Sequence, residues 1–218
     1  MKYRAVCFDF DYTLADATDA IVAGYTHGLT RLGWPAPERE AVRHTIGLML
    51  EEGYTRLTGD RDPERVRRFR PLFVEVADTM QRTNTRLFPG ARELITALKE
   101  KGLGLGIISS KRTQTLEAVL EYHGLRDLLD PVLGGDAVTR NKPDPEGILV
   151  ALERFGLDRE ELLYCGDSMV DAAAARNAGV DFCAVLNGTT TAGQLESLPH
   201  VHIAPDLYEL SRWLETID

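Results

Sequence analysis

The stretch Ala5-Val6-Cys7-Phe8-Asp9-Phe10-Asp11-Tyr12-Thr13-Leu14 runs from a short apolar segment straight into two aspartates. Four consecutive apolar residues predict a strand buried on both faces, over residues 4–9, and the carboxylates fall where it ends. A buried carboxylate without a metal, a cation or a proton carries a large desolvation cost. Residues two apart in extended chain point the same way, so Asp9 and Asp11 can converge on one spot beside the strand terminus. Two aspartates in a solvated turn would be the bland alternative.

Working outward, the chain alternates strand and helix with one helical interruption. From Asp16 to Arg86 the periodicity is helical and no strand is expected. Helices are expected over Ala17 to Leu32, where Gly33 and two prolines follow, over Glu38 to Leu57, and from Pro63 onward. Phe69, Leu72, Phe73, Val76 and Met80 form an apolar stripe on the third. Further strands are expected at Gly104–Ile108, Val132–Leu133, Leu162–Cys165 and Phe182–Leu186. Helices lie between them, near Ala91–Lys101, Thr113–His123, Pro145–Phe155 and from Asp171 to Gly179. This order predicts an α/β fold, a doubly wound parallel sheet with a Rossmann-like core and an inserted all-α segment. The core would comprise residues 1–15 and 87–218, and the insertion 16–86.

The polar clusters all follow strands. Asp9 with Asp11, Ser109 with Ser110, Lys142 in its loop, and Asp167 with Asp171 are far apart in sequence, yet a parallel sheet sets them at one edge. Several carboxylates, an ammonium and a hydroxyl can together hold a divalent cation and a phosphoryl group, and carboxylate oxygens suit magnesium.

Composition narrows the class. At 218 residues and 44% hydrophobic content the chain can bury a full core, and its net charge of −9 gives no general attraction for nucleic acid or anionic membrane. No apolar run approaches the roughly 20 residues that span a bilayer. A cytoplasmic enzyme, monomer or homodimer, is expected, and the cluster at the strand ends that can hold a phosphoryl group would give it a small phosphorylated metabolite as partner. The three cysteines, Cys7, Cys165 and Cys183, read as small core residues, and the five histidines offer no zinc-like spacing.

Four motifs in order carry a resemblance: Asp9-Phe10-Asp11-Tyr12-Thr13, Ser109 after an apolar strand, Lys142 in Lys-Pro-Asp-Pro, and Gly166-Asp167-Ser168-Met169-Val170-Asp171. Across nearly its whole length the chain resembles the haloacid dehalogenase superfamily, and within it the phosphoglycolate phosphatase-like hydrolases with a helical cap. The resemblance implies Asp9 as nucleophile, forming an aspartyl-phosphate, and Asp11 as the group that protonates the leaving alcohol and then deprotonates water. It implies Mg2+ held by Asp9, the Asp11 backbone carbonyl and Asp167. Ser109 and Ser110 would anchor phosphate, and Lys142 would neutralise charge. Asp171 would act behind the metal, through water or by orienting Lys142, or would serve merely as a favourable first-turn acid of the helix that follows. Ser109 could instead cap the helix near Thr113.

Tyr12 departs from the family pattern, which has glycine there. A bulky residue must adopt an allowed turn or push its ring outward, where it can touch the cap. Within the cap, Arg43, His44, Thr45 and Gly47 are expected on the substrate side. A phosphatase of phosphoglycolate-like or sugar phosphates is the leading expectation. A phosphomutase of the β-phosphoglucomutase type, an inorganic pyrophosphatase and a non-catalytic binding protein remain as alternatives. Asp11 argues against a dehalogenase, because halide needs no proton to leave.

Overall fold

The computed structural model describes residues 2–217; positions 1 and 218, the outer ends of the expected core, lie outside the described residues. Its centre is a six-stranded sheet in which every adjacent pair is parallel. In chain order the strands are β1 (Ala5–Phe8), β4 (Gly104–Ile108), β5 (Val132–Leu133), β6 (Leu162–Gly166), β7 (Asp181–Val185) and β8 (His202–Ala204), arranged β5-β4-β1-β6-β7-β8. The missing numbers belong to β2 (Ala15–Asp16) and β3 (Arg86–Leu87), an antiparallel pair outside the sheet.

β1 is central because each of its residues is buried and each face is covered. The period-2 alternation of a strand sends Val6 and Phe8 into one apolar layer with Leu94, Ile95, Leu116 and Leu210. Ala5 and Cys7 enter the opposite layer with Ile148, Ala151, Ala172 and Ala175. The first layer is supplied by α5 (Ala91–Glu100), α6 (Thr113–Tyr122) and α10 (Leu207–Thr216), and the second by α7 (Glu146–Phe155) and α8 (Met169–Ala178). All three cysteines are free and buried, as a small-hydrophobe reading requires. No helix among the described residues is long and apolar enough to cross a membrane.

Between β2 and β3 stand α1 (Thr18–Arg31), α2 (Arg39–Arg43), α3 (Leu50–Thr58) and α4 (Pro63–Asn84). They bury their own cluster, with Tyr25, Leu29, Tyr54 and Phe69 at its centre. The structure corrects the sequence reading here in three places. The helix expected over Glu38 to Leu57 is two helices, broken by a turn at 44–49 in which Gly47 has φ +93°, a left-handed conformation that ends a helix. The buried face of α4 carries Phe69, Ala77 and Gln81, with Leu72, Val76 and Met80 only half-buried beside it. β2 and β3 occupy the ends of a segment that shows only helical periodicity, since two residues are too few to display a strand period. Short α9 (Ala192–Leu195) completes the chain's elements, and β8 and α10 extend the alternation past the last strand expected.

Candidate active site

β1 delivers Asp9 one residue beyond its end, where the Asp9 amide donates to the Cys165 carbonyl at 2.9 Å and ties it to β6. The chain then turns sharply. Tyr12 takes φ +62°, the one positive φ outside glycine among the described residues, and its amide donates to the Ala15 carbonyl at 2.8 Å. A left-handed non-glycine residue costs roughly 1–2 kcal/mol. The ring repays part of this by packing: its hydroxyl lies 2.8 Å from Thr18 Oγ1 and accepts from Arg43 Nε at 3.2 Å. Both options open to a bulky residue at this position are therefore realised together, an αL turn and a ring laid against the inserted helices.

Asp9, Asp11, Ser109 and Asp167 lie just beyond the carboxyl ends of β1, β4 and β6, Lys142 lies in the loop between β5 and α7, and Asp171 lies in the first turn of α8. Lys142 Nζ is 2.6 Å from Asp171 Oδ1 and 3.0 Å from Asp9 Oδ1, with all three side chains buried. The Tyr164 hydroxyl lies 3.1 Å from Lys142 Nζ, 3.1 Å from Asp171 Oδ1 and 3.0 Å from the Ile108 carbonyl. The Lys142 loop is pinned from below: Thr139 and Arg140 amides donate to the Glu146 carboxylate, and Asn177 Nδ2 donates to the Pro143 carbonyl at 2.9 Å. Asp167 accepts from Thr13 Oγ1 at 3.2 Å.

Electrostatics follow from this crowding. Burial pushes the Asp9 carboxyl up to about 6, against the pull of Lys142 and with the help of Asp171. Burial, then Asp171 and Asp9, hold Asp167 well above the usual carboxylate range. Lys142 moves the other way: its burial favours the neutral form, but Asp171 and Asp9 outweigh it and raise the ammonium. Three carboxyl groups, Asp9, Asp167 and Asp171, thus crowd one buried ammonium, and Asp9 and Asp167 are driven toward their protonated forms unless a further cation joins them.

The residues present fit a hard divalent cation. Asp9, Asp167 and Asp171 each offer an oxygen within 4.8 Å of the others, and Asp9 Oδ1 and Asp11 Oδ1 are buried without a hydrogen-bond partner. Lys142 approaches Asp9 Oδ1 as an ion pair but outside hydrogen-bond angles. Asp171 is the poorest donor of the three, because its oxygens are already taken. Oδ1 receives Lys142, and Oδ2 receives the Ser168 amide at 3.1 Å and hydroxyl at 2.5 Å, in a capping box at the start of α8. Oxygen-only donors of this kind suit Mg2+.

Ser109 is buried, its amide donating to the Leu133 carbonyl, and it does not cap α6, whose N-cap is Arg112 with no side-chain bond. Ser110 Oγ donates to the Gly47 carbonyl at 2.9 Å. A cavity of about 250 Å³ opens beside Asp11, Ser109 and Ser110 and is lined from the inserted helices by Thr45 and Gly47. Arg43 and His44, expected on the substrate side, do not line it. Arg43 is held by Tyr12 and by Glu40 at 2.9 Å, and His44 is half exposed, 3.4 Å from Glu40. Three residues escaped the sequence reading. Lys111 Nζ stands 3.0 Å from Asp11 Oδ2 and also donates to Gln81; its signal was its place directly after a strand end. Tyr164 read as a core strand residue. Gly188 follows β7, and a Cβ there would stand 2.0 Å from Asp167 Oδ2.

The chain as a whole is similar to known proteins. A sequence profile for haloacid dehalogenase-like hydrolases matches residues 6–185. The phosphoglycolate phosphatase of Nitrosospira multiformis is 33% identical over 220 residues, covering 99% of this chain and 97% of that protein. The phosphoglycolate phosphatase of Escherichia coli K12 is 32% identical over 197 residues, covering 81% and 78%. A Bacteroides fragilis crystal structure, described as a haloacid dehalogenase-like hydrolase, superposes with a TM-score of 0.92 at 41% identity, covering 96% of this chain and 100% of that one. The chain belongs to the haloacid dehalogenase-like hydrolase family, as a phosphoric monoester hydrolase of its phosphoglycolate phosphatase-like branch.

Proposed function

We propose that the chain is a magnesium-dependent phosphatase of a small phosphomonoester, working through an aspartyl-phosphate on Asp9. The observation that carries the reading is the cluster of four buried carboxyl groups beyond the strand ends, Asp9, Asp11, Asp167 and Asp171, set against two ammoniums, Lys142 and Lys111, with Asp9 Oδ1 and Asp11 Oδ1 lacking hydrogen-bond partners. In the first step an Asp9 carboxylate oxygen attacks phosphorus, the P–O bond to the alcohol breaks, and the departing alkoxide takes a proton from Asp11. In the second, water attacks the aspartyl-phosphate phosphorus and gives its proton to Asp11, and inorganic phosphate leaves with Asp9 restored. Asp9, the Asp11 backbone carbonyl and Asp167 would hold Mg2+, which when bound offsets charge on the phosphoryl oxygens. Ser109 and Ser110 would hold phosphate, Lys142 would counter its charge, and Asp171 would aim Lys142. Lys111 would fix the Asp11 carboxyl.

The same reading divides the chain into a core of residues 1–15 and 87–218 and a cap of 16–86, with the β2–β3 pair as hinge. It is supported by the separate apolar cluster of the inserted helices. Polar contacts join the two parts at the site: Arg112 with Asp78 at 2.9 Å, Ser110 with the Gly47 carbonyl, and Lys111 with Gln81. A cap so held would exclude bulk water from the aspartyl-phosphate.

Phosphate release from phosphoglycolate, sugar phosphates, pyrophosphate and a chromogenic monoester, with magnesium and with chelator, tests the proposal. Magnesium-dependent release is the expected result. An undiminished rate in chelator would remove the metal from the reading, and silence across the panel would remove the phosphatase. Asp167→Ala should raise the magnesium concentration for half-maximal rate by about tenfold or more. Gly188→Ala is expected to do the same without touching a charged residue, because its Cβ must push Asp167 aside. A magnesium titration of G188A that overlays the wild type would mean that Asp167 does not need its present position.

A further inference from the structure

The cavity beside Asp11 has a composition that speaks to what it receives. Asp11 and Ser109 both line it. In the phosphatase reading, whatever fills it is therefore attached to the phosphoryl group on the side where the alcohol departs. Its remaining wall is mostly hydrocarbon, from Ile21 on α1, Ile46, Leu48 and Met49 in the turn before α3, and Phe73 and Val74 on α4. At about 250 Å³ it has room for roughly eight waters at about 30 Å³ each, more than a two-carbon acid needs.

Three cations border this space, and each is already committed. Arg70 Nε donates to Glu51 Oε1 at 2.9 Å. Arg112 pairs with Asp78 at 2.9 Å, and that carboxylate also accepts from Thr115 Oγ1 at 3.1 Å. Lys111 is shared between Asp11 and Gln81. Asp136 adds a further anion at the rim, its Oδ1 accepting from the Thr113 amide and hydroxyl at 2.7 Å each. A leaving group that carries its own carboxylate meets only cations whose charge is already offset by a carboxylate, with the Asp78 and Asp136 carboxylates on the same wall, while an apolar body gains by displacing water from hydrocarbon.

We infer that the substrate is a phosphomonoester of an uncharged alcohol with an apolar body of ring size, and that phosphoglycolate is a poor one. The inference rests on the phosphatase reading and refines its substrate. Ile46, Leu48 and Met49 then act as specificity residues through the turn that breaks the second inserted helix in two.

The test compares kcat/KM for benzyl phosphate, ethyl phosphate and phosphoglycolate with the intact protein in magnesium, reading inorganic phosphate. All three are esters of primary alcohols, which limits differences in leaving-group chemistry. Burying a ring of phenylalanine size supports a preference of about tenfold or more for benzyl phosphate over the other two. Met49→Lys, which puts an uncommitted cation at the cavity wall, should raise the ratio of phosphoglycolate to benzyl phosphate by about tenfold, and Leu48→Lys gives a second placement should that variant fold poorly. Phosphoglycolate ahead in the wild type, or parity among the three, overturns the inference and leaves the phosphatase standing. No phosphate from any of them overturns the phosphatase reading and this inference with it.

Discussion

Asp9→Asn is expected to lose at least about four orders of magnitude in turnover while the protein stays folded. The substitution keeps the shape of the side chain and the backbone bond from the Asp9 amide to Cys165, but an amide cannot act as the attacking oxygen. Stability should be level or slightly higher. Burial already pushes the Asp9 carboxyl up to about 6, with Asp171 adding to it, so at neutral pH its charged form is held at a cost that asparagine removes. Asp167, raised in part by Asp9, should ionise more readily in the variant. Thermal melting and phosphate release on one preparation check both halves. Turnover within tenfold of wild type would remove Asp9 as nucleophile, and a lowered melting point would show that its charge matters more to folding than its burial implies.

That so much of this site could be read from sequence has a physical cause. Strands buried on both faces are short uninterrupted apolar runs, so Ala5–Phe8, Gly104–Ile108 and Leu162–Gly166 stand out, and parallel connections bring their carboxyl ends to one edge. That rule places Asp9, Asp11, Ser109 and Asp167 at the shared edge, and their chemical roles come from the family resemblance. Lys111 obeys the same rule and was passed over because its neighbour Ser109 already filled the expected place. Tyr164 was invisible because a tyrosine inside an apolar run reads as core, although its hydroxyl reaches Lys142 and Asp171.

The inserted helices were harder for a different reason. Hydrophobic periodicity continues through residues 38–57, which hold two glycines, Gly47 and Gly53, and neither by itself announces a turn. In the structure Leu48 and Met49 line a cavity, and so does Ile46, which also packs against the cluster of the inserted helices. Cap arginines carry little information in one dimension, since what decides their availability is the partner. Arg43 is held by Tyr12 and Glu40, and Arg70 by Glu51. β2, β3 and β8, of two or three residues each, are made by pairing and leave no period to detect.

The largest effect on folding is expected from Lys142→Met. Lys142 is the cation between Asp9 and Asp171, and its side chain is as buried as theirs. Methionine fills similar volume and leaves two carboxylates facing each other without a countercharge. Breaking such a group by removing one member costs about 3–5 kcal/mol, and at about 2–4 °C per kcal/mol for a chain of this size the melting point should fall by roughly 6–20 °C. The pH dependence has a definite sign when melting is followed in chelator. Asp9 already sits at about 6 in the folded protein with Lys142 drawing it down, so removing the lysine moves it higher still, above its unfolded value of about 3.9. A carboxyl raised on folding favours the folded state below its unfolded pKa, and that advantage is lost as pH rises through the folded value. Asp9's share of the deficit relative to wild type should thus be complete above the variant's folded value and fade as pH falls from there toward about 6, below which the wild-type carboxyl is protonated as well. Lys142→Met combined with Asp171→Asn should recover stability but not turnover, because the repulsion goes while the charge opposite phosphate stays missing. A variant whose melting point matches wild type at pH 8 would mean that the carboxylates do not depend on Lys142 for their burial.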